Sequence, residues 1–185
     1  MLTVFVADIF GKSEALQQLA EQVAGQETLI IDAYAGQCID FKNEQAAYDY
    51  FSEQVGLSQY AQLLQEKLSS IKQPFNLIAF SVGGSAVWLN SAMLANTQVN
   101  RVVCFYASQI RHYLSIQPSI LIELILPKSE LHFDITEFAQ NLHKKQRVKI
   151  IHSQYFHGFM NKLSLHYDPL GFQGYVHKLP LNKES

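Results

Sequence analysis

The fold is indicated most clearly by Phe75-Asn76-Leu77-Ile78-Ala79-Phe80-Ser81-Val82-Gly83-Gly84, where a short apolar run is followed directly by a segment with helical character. Residues 75–80 have the length and side chains of a buried strand, and residues 84–94 are predicted to form a helix. The segment Ala79-Phe80-Ser81-Val82-Gly83 is close to G-x-S-x-G, with alanine at the first small position. In that pattern a strained turn lifts the serine hydroxyl clear of the sheet. The alternative is a glycine-rich connection in which Ser81 only caps the helix.

The rest of the chain alternates short apolar runs with longer amphipathic ones. We predict further strands at residues 2–7, 28–33, 101–106, 119–126 and 148–152. We predict helices at residues 13–23, one or two within 48–71, one at 135–142 and a final one from Tyr175 onwards. Strands separated by helices form parallel βαβ units. The chain is therefore predicted to be one domain, residues 1–185, folded as a three-layer α/β/α sandwich around a mainly parallel sheet of about six or seven strands.

Reactive side chains are concentrated in the loops that follow the predicted strands. Ligands of open parallel sheets bind at this edge, and here it is formed by residues 8–11, 81–84, 107–109, 127–134 and 153–159. A serine hydroxyl is a weak nucleophile until a base takes its proton, and His157 lies in the last of these loops. Taken alone, a loop histidine is more often structural. The chain order serine, acid, histidine is nevertheless that of hydrolases with a G-x-S-x-G turn.

Two acids in the loop after the strand at 119–126 are candidates to orient His157. We favour Glu130, because it lies nearer the strand end, over Asp134, which also suits the N-cap of the helix that begins near Ile135. The backbone N–H groups of Ile9 and Val82 are the expected oxyanion donors, because they follow the first strand and the nucleophile.

Four segments, in chain order, resemble motifs of the dienelactone hydrolases, and together they cover about residues 1 to 170. The first two are Asp8-Ile9-Phe10-Gly11, similar to H-E-I-F-G, and Ile31-Asp32-Ala33-Tyr34-Ala35-Gly36, similar to P-D-L-Y-G. The third is Phe80-Ser81-Val82-Gly83-Gly84, similar to F-C-L-G-G. The fourth is Phe156-His157-Gly158-Phe159-Met160-Asn161 with Tyr167-Asp168-Pro169, which resembles the family's histidine loop and the Y-D-P after it. The resemblance implies a minimal α/β-hydrolase fold without a cap domain, and hydrolysis of carboxylic ester or lactone bonds without a cofactor.

The resemblance also assigns roles to residues. It places the nucleophile at Ser81, the base at His157 and the oxyanion donors at Ile9 and Val82. Asp8 would match the family glutamate that lies beside the nucleophile. We expect Asp8, Phe10 and Phe159 to contact the substrate.

The sequence departs from the family pattern at three points. Serine replaces the family's cysteine nucleophile, Ala7 replaces the histidine before Asp8, and the family's glycine–spacer–aspartate acid motif is absent around residues 127–134. The expected function is therefore a serine hydrolase that cleaves ester, thioester or lactone bonds of small substrates through an acyl-enzyme. The alternative is a catalytically degenerate relative with a binding or interaction role.

Composition limits the other function classes. A net charge of -2 and a pI near 6.4 give no basic surface for nucleic acid, and no apolar run approaches the roughly 20 residues of a membrane span. The two cysteines predict a reducing, cytoplasmic location, and the seven histidines lack the spacing of a metal site. Gly11-Lys12-Ser13 resembles the end of a P-loop, but Val6 stands where that motif needs glycine. The expected partner is a small ester-type substrate, and a homodimer is compatible with the sequence.

Overall fold

The computed structural model describes residues 1–25 and 27–179. These residues form six strands, six α-helices and two short 3-10 helices. The strands are β1 (Leu2–Val6), β2 (Thr28–Ile31), β3 (Phe75–Phe80), β4 (Val99–Phe105), β5 (Ile122–Leu126) and β6 (Val148–His152). The helices are α1 (Glu14–Ala24), α2 (Glu44–Gln54), α3 (Gly56–Ser70), α4 (Val82–Asn90), α5 (Ile135–His143) and α6 (Pro169–Val176).

All six strands are parallel and form one sheet in the order β2-β1-β3-β4-β5-β6. The chain moves outward from β1 to β2, returns to the centre at β3, and then continues to the opposite edge at β6. The direction of winding therefore reverses between β1 and β3. In open α/β sheets this reversal leaves a crevice at the carboxyl ends of the two strands, and the crevice is where ligands bind.

A hydrophobic core covers each face of the sheet, so the predicted three-layer architecture is confirmed. Alternate residues of β3 point to opposite faces. Leu77 and Ala79 pack with residues of α2, α3, α4 and α5, whereas Ile78 and Phe80 pack with residues of α1 and α6. Burial on both faces explains why β3 is apolar almost throughout instead of alternating with polar residues. Within the described residues, no cap domain is inserted between the strands.

Local hydrogen bonds and glycine conformations correct several predicted boundaries. The second strand ends at Ile31, because the carboxylate of Asp32 accepts from the backbone N–H groups of Tyr34 and Gly36 and turns the chain. The helical region at 48–71 is two helices, broken where Gly56 has a φ of 70°. The predicted start of the last helix at Tyr175 is wrong: Asp168 caps α6 seven residues earlier. Residues 180–185, which the prediction included, lie outside the described residues.

Glu123 is the one charged residue of β5, and two cations from the neighbouring strands hold it. Its carboxylate oxygens lie 2.5 Å from Nε of Arg101 and 3.1 Å from Nζ of Lys149. Burial alone would raise the pKa of Glu123, but the hydrogen bonds and charges of Arg101 and Lys149 lower it below its ordinary value. The folded state therefore favours the charged form of Glu123.

We expect Glu123→Gln to lower the free energy of unfolding at pH 7 by roughly 1–2 kcal/mol, because two partly exposed cations lose their anion. A pKa lowered by folding stabilises the protein above the unfolded value, about 4.3, and that stabilisation is lost as the pH falls through the folded value. In denaturant unfolding, the difference in free energy of unfolding between wild type and variant should therefore be smaller at pH 3 than at pH 7. The control is Glu66→Gln on the exposed side of α3; equal losses for both variants would contradict the prediction.

No helix in the described part of the chain combines the length and apolar character that crossing a bilayer requires.

Candidate active site

Ser81 lies on a strained turn at the reversal point of the sheet. It connects β3 to α4 with φ 49° and ψ -116°, a conformation that non-glycine residues rarely adopt. Two features hold the turn: the N–H of Ser81 donates to the carbonyl of Phe105 at 2.9 Å, and Gly83 lets α4 approach β1 closely. Strain of this kind persists only where the surrounding structure enforces it, and it is common at reactive residues.

A continuous chain of hydrogen bonds links Ser81 to an acid through His157. Nε2 of His157 lies 2.9 Å from Oγ of Ser81, and Nδ1 lies 2.8 Å from Oε1 of Glu130. With the ring proton on Nδ1, Ser81 donates to Nε2 and His157 donates to Glu130. The three side chains come from the loops after β3, β6 and β5. Because these strands are parallel, the three loops lie at the same edge of the sheet.

The structure separates the two candidate acids. Glu130 reaches His157, whereas the carboxylate of Asp134 accepts from the backbone N–H of Thr136 at 2.7 Å and caps α5. Burial alone would raise the pKa of Glu130, but the hydrogen bond and charge of His157, with Ser108 and Arg111, hold it below its ordinary value. Glu130 is therefore an anion beside the imidazole at neutral pH.

Ile9 and Val82, the expected oxyanion donors, line the same cavity as Ser81. Val82 is the first residue of α4, so its N–H has no acceptor within the helix. Ile9 lies in the turn after β1, across the crevice from the strand that carries Ser81. Both residues lie at the same edge of the sheet as Ser81, and their role as oxyanion donors stays a prediction.

Asp8 is buried and joins the turn after β1 to the histidine loop. Its carboxylate accepts from the N–H of Phe10 at 3.0 Å and from Nδ2 of Asn161 at 2.7 Å. Burial raises its pKa above the ordinary value, and the hydrogen bond from Asn161 offsets part of that effect. Asp8 and Phe10 both line the cavity that contains Ser81.

Phe159 does not lie at the cavity, and the prediction that it contacts substrate is wrong. Its side chain is fully buried and packs against the rings of Phe105 and Tyr155, with centroids 6.1 and 5.0 Å away. His157 faces the cavity and Phe159 faces the core, and the chain turns between them at Gly158, which has a φ of 87°.

The cavity that contains these groups has a volume of about 340 Å³. Sequence reasoning assigned no role to several side chains of its wall, although Ser108 follows a strand end and could have been suspected for that reason alone. The members missed are Glu44, Gln45, Tyr48, Tyr106, Ser108, Gln109, Arg111, His132, Phe133 and Ser164. Across residues 1–25 and 27–179, no three His, Cys, Asp or Glu side chains form a group that could hold a metal ion.

Comparison with known proteins supports the fold through structure and not through sequence. No family model matches the chain, and no curated protein sequence matches it either. A dienelactone hydrolase-like promiscuous phosphotriesterase from metagenomic libraries superposes with a TM-score of 0.63 at 13% identity, over 96% of this chain and 84% of that one. A lipase-esterase related protein from Clostridium acetobutylicum gives 0.60 at 12% identity, over 96% and 92%.

A serine hydrolase without a lid from Xanthomonas campestris gives a TM-score of 0.53 at 13% identity, over 96% of this chain and 79% of that one. At such low identities the likeness extends to the fold alone. The chain has an α/β-hydrolase fold, as the four sequence motifs implied.

Proposed function

We propose that the protein is a serine hydrolase that cleaves carboxylic ester, thioester or lactone bonds of small substrates through an acyl-enzyme. The observation that carries the proposal is the pair of hydrogen bonds from Ser81 to His157, at 2.9 Å, and from His157 to Glu130, at 2.8 Å. A base within this distance can take the serine proton as the bond to carbon forms. The groups involved all belong to the protein, so the chemistry needs no cofactor.

In the first half of the reaction, Oγ of Ser81 attacks the carbonyl carbon while its proton moves to Nε2 of His157. Glu130 stabilises the imidazolium that forms. The N–H groups of Ile9 and Val82 would donate to the carbonyl oxygen as it becomes negative. Collapse of the tetrahedral intermediate breaks the bond to the alcohol or thiol, which leaves with the proton from His157. In a lactone the leaving oxygen stays attached to the acyl group.

In the second half, water attacks the acyl-enzyme and gives its proton to His157. The second tetrahedral intermediate then expels Ser81, which recovers a proton from the same ring. The cavity of about 340 Å³ lies at the lower end of the range for small-molecule sites. That size favours a compact acyl group and alcohol.

A fluorophosphonate probe tests the proposal directly, because it reacts rapidly with a serine that a base activates. We expect wild-type protein to be labelled at Ser81, identified by mass spectrometry of the modified peptide. Labelling should be lost in Ser81→Ala and in heat-unfolded wild-type protein. A screen of short-chain esters and thioesters then finds the preferred acyl group.

Absence of labelling in folded wild-type protein would refute the proposal. The catalytically degenerate alternative would then stand, and the cavity would be a ligand-binding site. Labelling that persists in Ser81→Ala would also refute it, because another nucleophile would then be responsible.

Variants of the two candidate acids separate a catalytic role from a structural one. We expect Glu130→Gln to lower kcat for a short-chain ester by about 10³-fold, because the imidazolium loses its anion. Asp134→Ala is expected to keep its activity and to lose about 1 kcal/mol of stability, the usual cost of an N-cap. Steady-state kinetics and thermal unfolding of both variants check this. A larger loss of kcat in Asp134→Ala than in Glu130→Gln would contradict the assignment.

A further inference from the structure

Ser108 touches two members of the hydrogen-bonded chain but has no part in the mechanism described above. It begins the short 3-10 helix Ser108–His112 that follows β4. Its hydroxyl donates to Oε1 of Glu130, and its Oγ lies 3.2 Å from Nδ1 of His157. Oε1 of Glu130 thus accepts from both residues.

The residues on both sides of Glu130, Ser129 and Leu131, are exposed and do not hold its carboxylate in place. Glu130 stands four residues beyond the end of β5, and its neighbour Leu131 is 91% exposed. A glutamate has three rotatable side-chain bonds, so an unsupported carboxylate would sample many positions. Ser108 gives Oε1 a second, directional donor from a neighbouring strand end.

The backbone around Ser108 is built to keep it in place. Tyr106 has a φ of 40°, an unusual value for a bulky residue. Its carbonyl accepts from the N–H of Ser108 at 2.9 Å, and Nη1 of Arg111 donates to the carbonyl of Ser108 at 2.8 Å. Gly84 leaves room for this turn, since a Cβ at position 84 would lie 2.8 Å from the Cβ of Ala107. The strained turn therefore directs the Ser108 side chain toward Glu130.

We propose that Ser108 is a positioning residue that holds the Glu130 carboxylate in line with Nδ1 of His157. The inference rests on the proposed function, since it gives Ser108 a role in activating Ser81. Ser108 acts through Glu130, so its effect depends on the carboxylate being present. Threonine keeps the hydroxyl and serves as the conservative replacement.

The first test is a double-mutant cycle read by the kinetics of fluorophosphonate labelling. We expect Ser108→Ala to slow the maximal labelling rate about 10-fold, as for loss of a hydrogen bond to a charged group, without weakening the reversible binding that precedes it. Ser108→Thr should restore most of the rate. In a Glu130→Ala background, Ser108→Ala should add no further loss. The control is Ser129→Ala, an exposed serine of the Glu130 loop.

The second test does not depend on activity. In wild-type protein and in Ser108→Ala, the titration of the Glu130 side-chain carboxyl is followed by carbon-13 NMR. Loss of a donor to the carboxylate moves the midpoint to higher pH in Ser108→Ala, and Ser108→Thr reverses the shift.

Two results would overturn the inference: an unchanged Glu130 titration in Ser108→Ala, or a rate loss that persists in full without Glu130. Wild-type protein that resists labelling but shows the NMR shift would refute the proposed hydrolase function and leave the Ser108–Glu130 hydrogen bond established. The role of Ser108 in activating Ser81 would then be refuted as well.

Discussion

Replacing His157 with alanine is expected to lower kcat for a short-chain ester by about 10⁴-fold or more, with a much smaller change in KM. The ring is the group that lies within hydrogen-bonding distance of Ser81 Oγ, at 2.9 Å. Without it the hydroxyl keeps its proton during attack, and the leaving group departs without one. Steady-state kinetics with the ester identified by the screen give kcat and KM for both proteins.

The matched control is His152→Ala. His152 ends β6 only five residues before His157, and its side chain is exposed. We expect this variant to stay within about threefold of wild type, as is usual for an exposed surface change. Free imidazole should partly restore activity to His157→Ala and not affect the control. A His157→Ala enzyme that kept a tenth of wild-type kcat would disprove the role of His157 as base.

Gly83→Ala is expected to have the largest effect on stability, a loss of more than about 3 kcal/mol in the free energy of unfolding. A Cβ at Gly83 would overlap the carbonyl oxygen of Ala7 and lie 2.8 Å from that of Val6. Both oxygens belong to the backbone at the end of β1, so neither can rotate away. Relief requires α4 to move off β1, which would displace Ser81 as well.

Gly174→Ala provides the comparison, because Gly174 is also a helical glycine but a Cβ there meets nothing within 4 Å. This variant should be neutral or more stable by up to about 1 kcal/mol, the difference in helix propensity between the two residues. Urea unfolding followed by circular dichroism measures both. Similar stabilities for the two variants would show that α4 and β1 leave room for a Cβ at position 83, which would contradict the prediction.

The sequence predicted the sheet and the helical layers well, because strands buried on both faces carry a strong local signal. The strand at residues 75–80 has the same bounds in the structure, and the turn at Ser81 follows it directly. Proximity of Ser81 and His157 also follows from topology, since the carboxyl ends of parallel strands share one edge of the sheet. These features depend on chain order and need no knowledge of side-chain direction.

Features that depend on side-chain direction within a loop were beyond the sequence. Glu130 and Asp134 lie in one short segment, and the structure uses Asp134 to cap α5 through its bond to the N–H of Thr136. Phe159 was expected at the cavity, but the turn at Gly158 sends it to the core. Ser108 was marked in the sequence only by its position after a strand, and the direction of its side chain depends on the unusual backbone of Tyr106.

Ser81 and His157 are attached to strands of unequal support, and this difference affects how the protein loses activity on heating. Ser81 follows β3, which has a neighbour on each side, whereas His157 follows β6, an edge strand that pairs with β5 alone. Elements with few packing contacts open locally at lower free energy than densely packed ones, and β6 lacks the contacts of a second neighbouring strand. Asn161 and Phe159 hold the histidine loop to the rest of the molecule, so opening of β6 would shift the imidazole from Ser81 while the central strands stay folded. Thermal inactivation should therefore precede the loss of the helical circular dichroism signal.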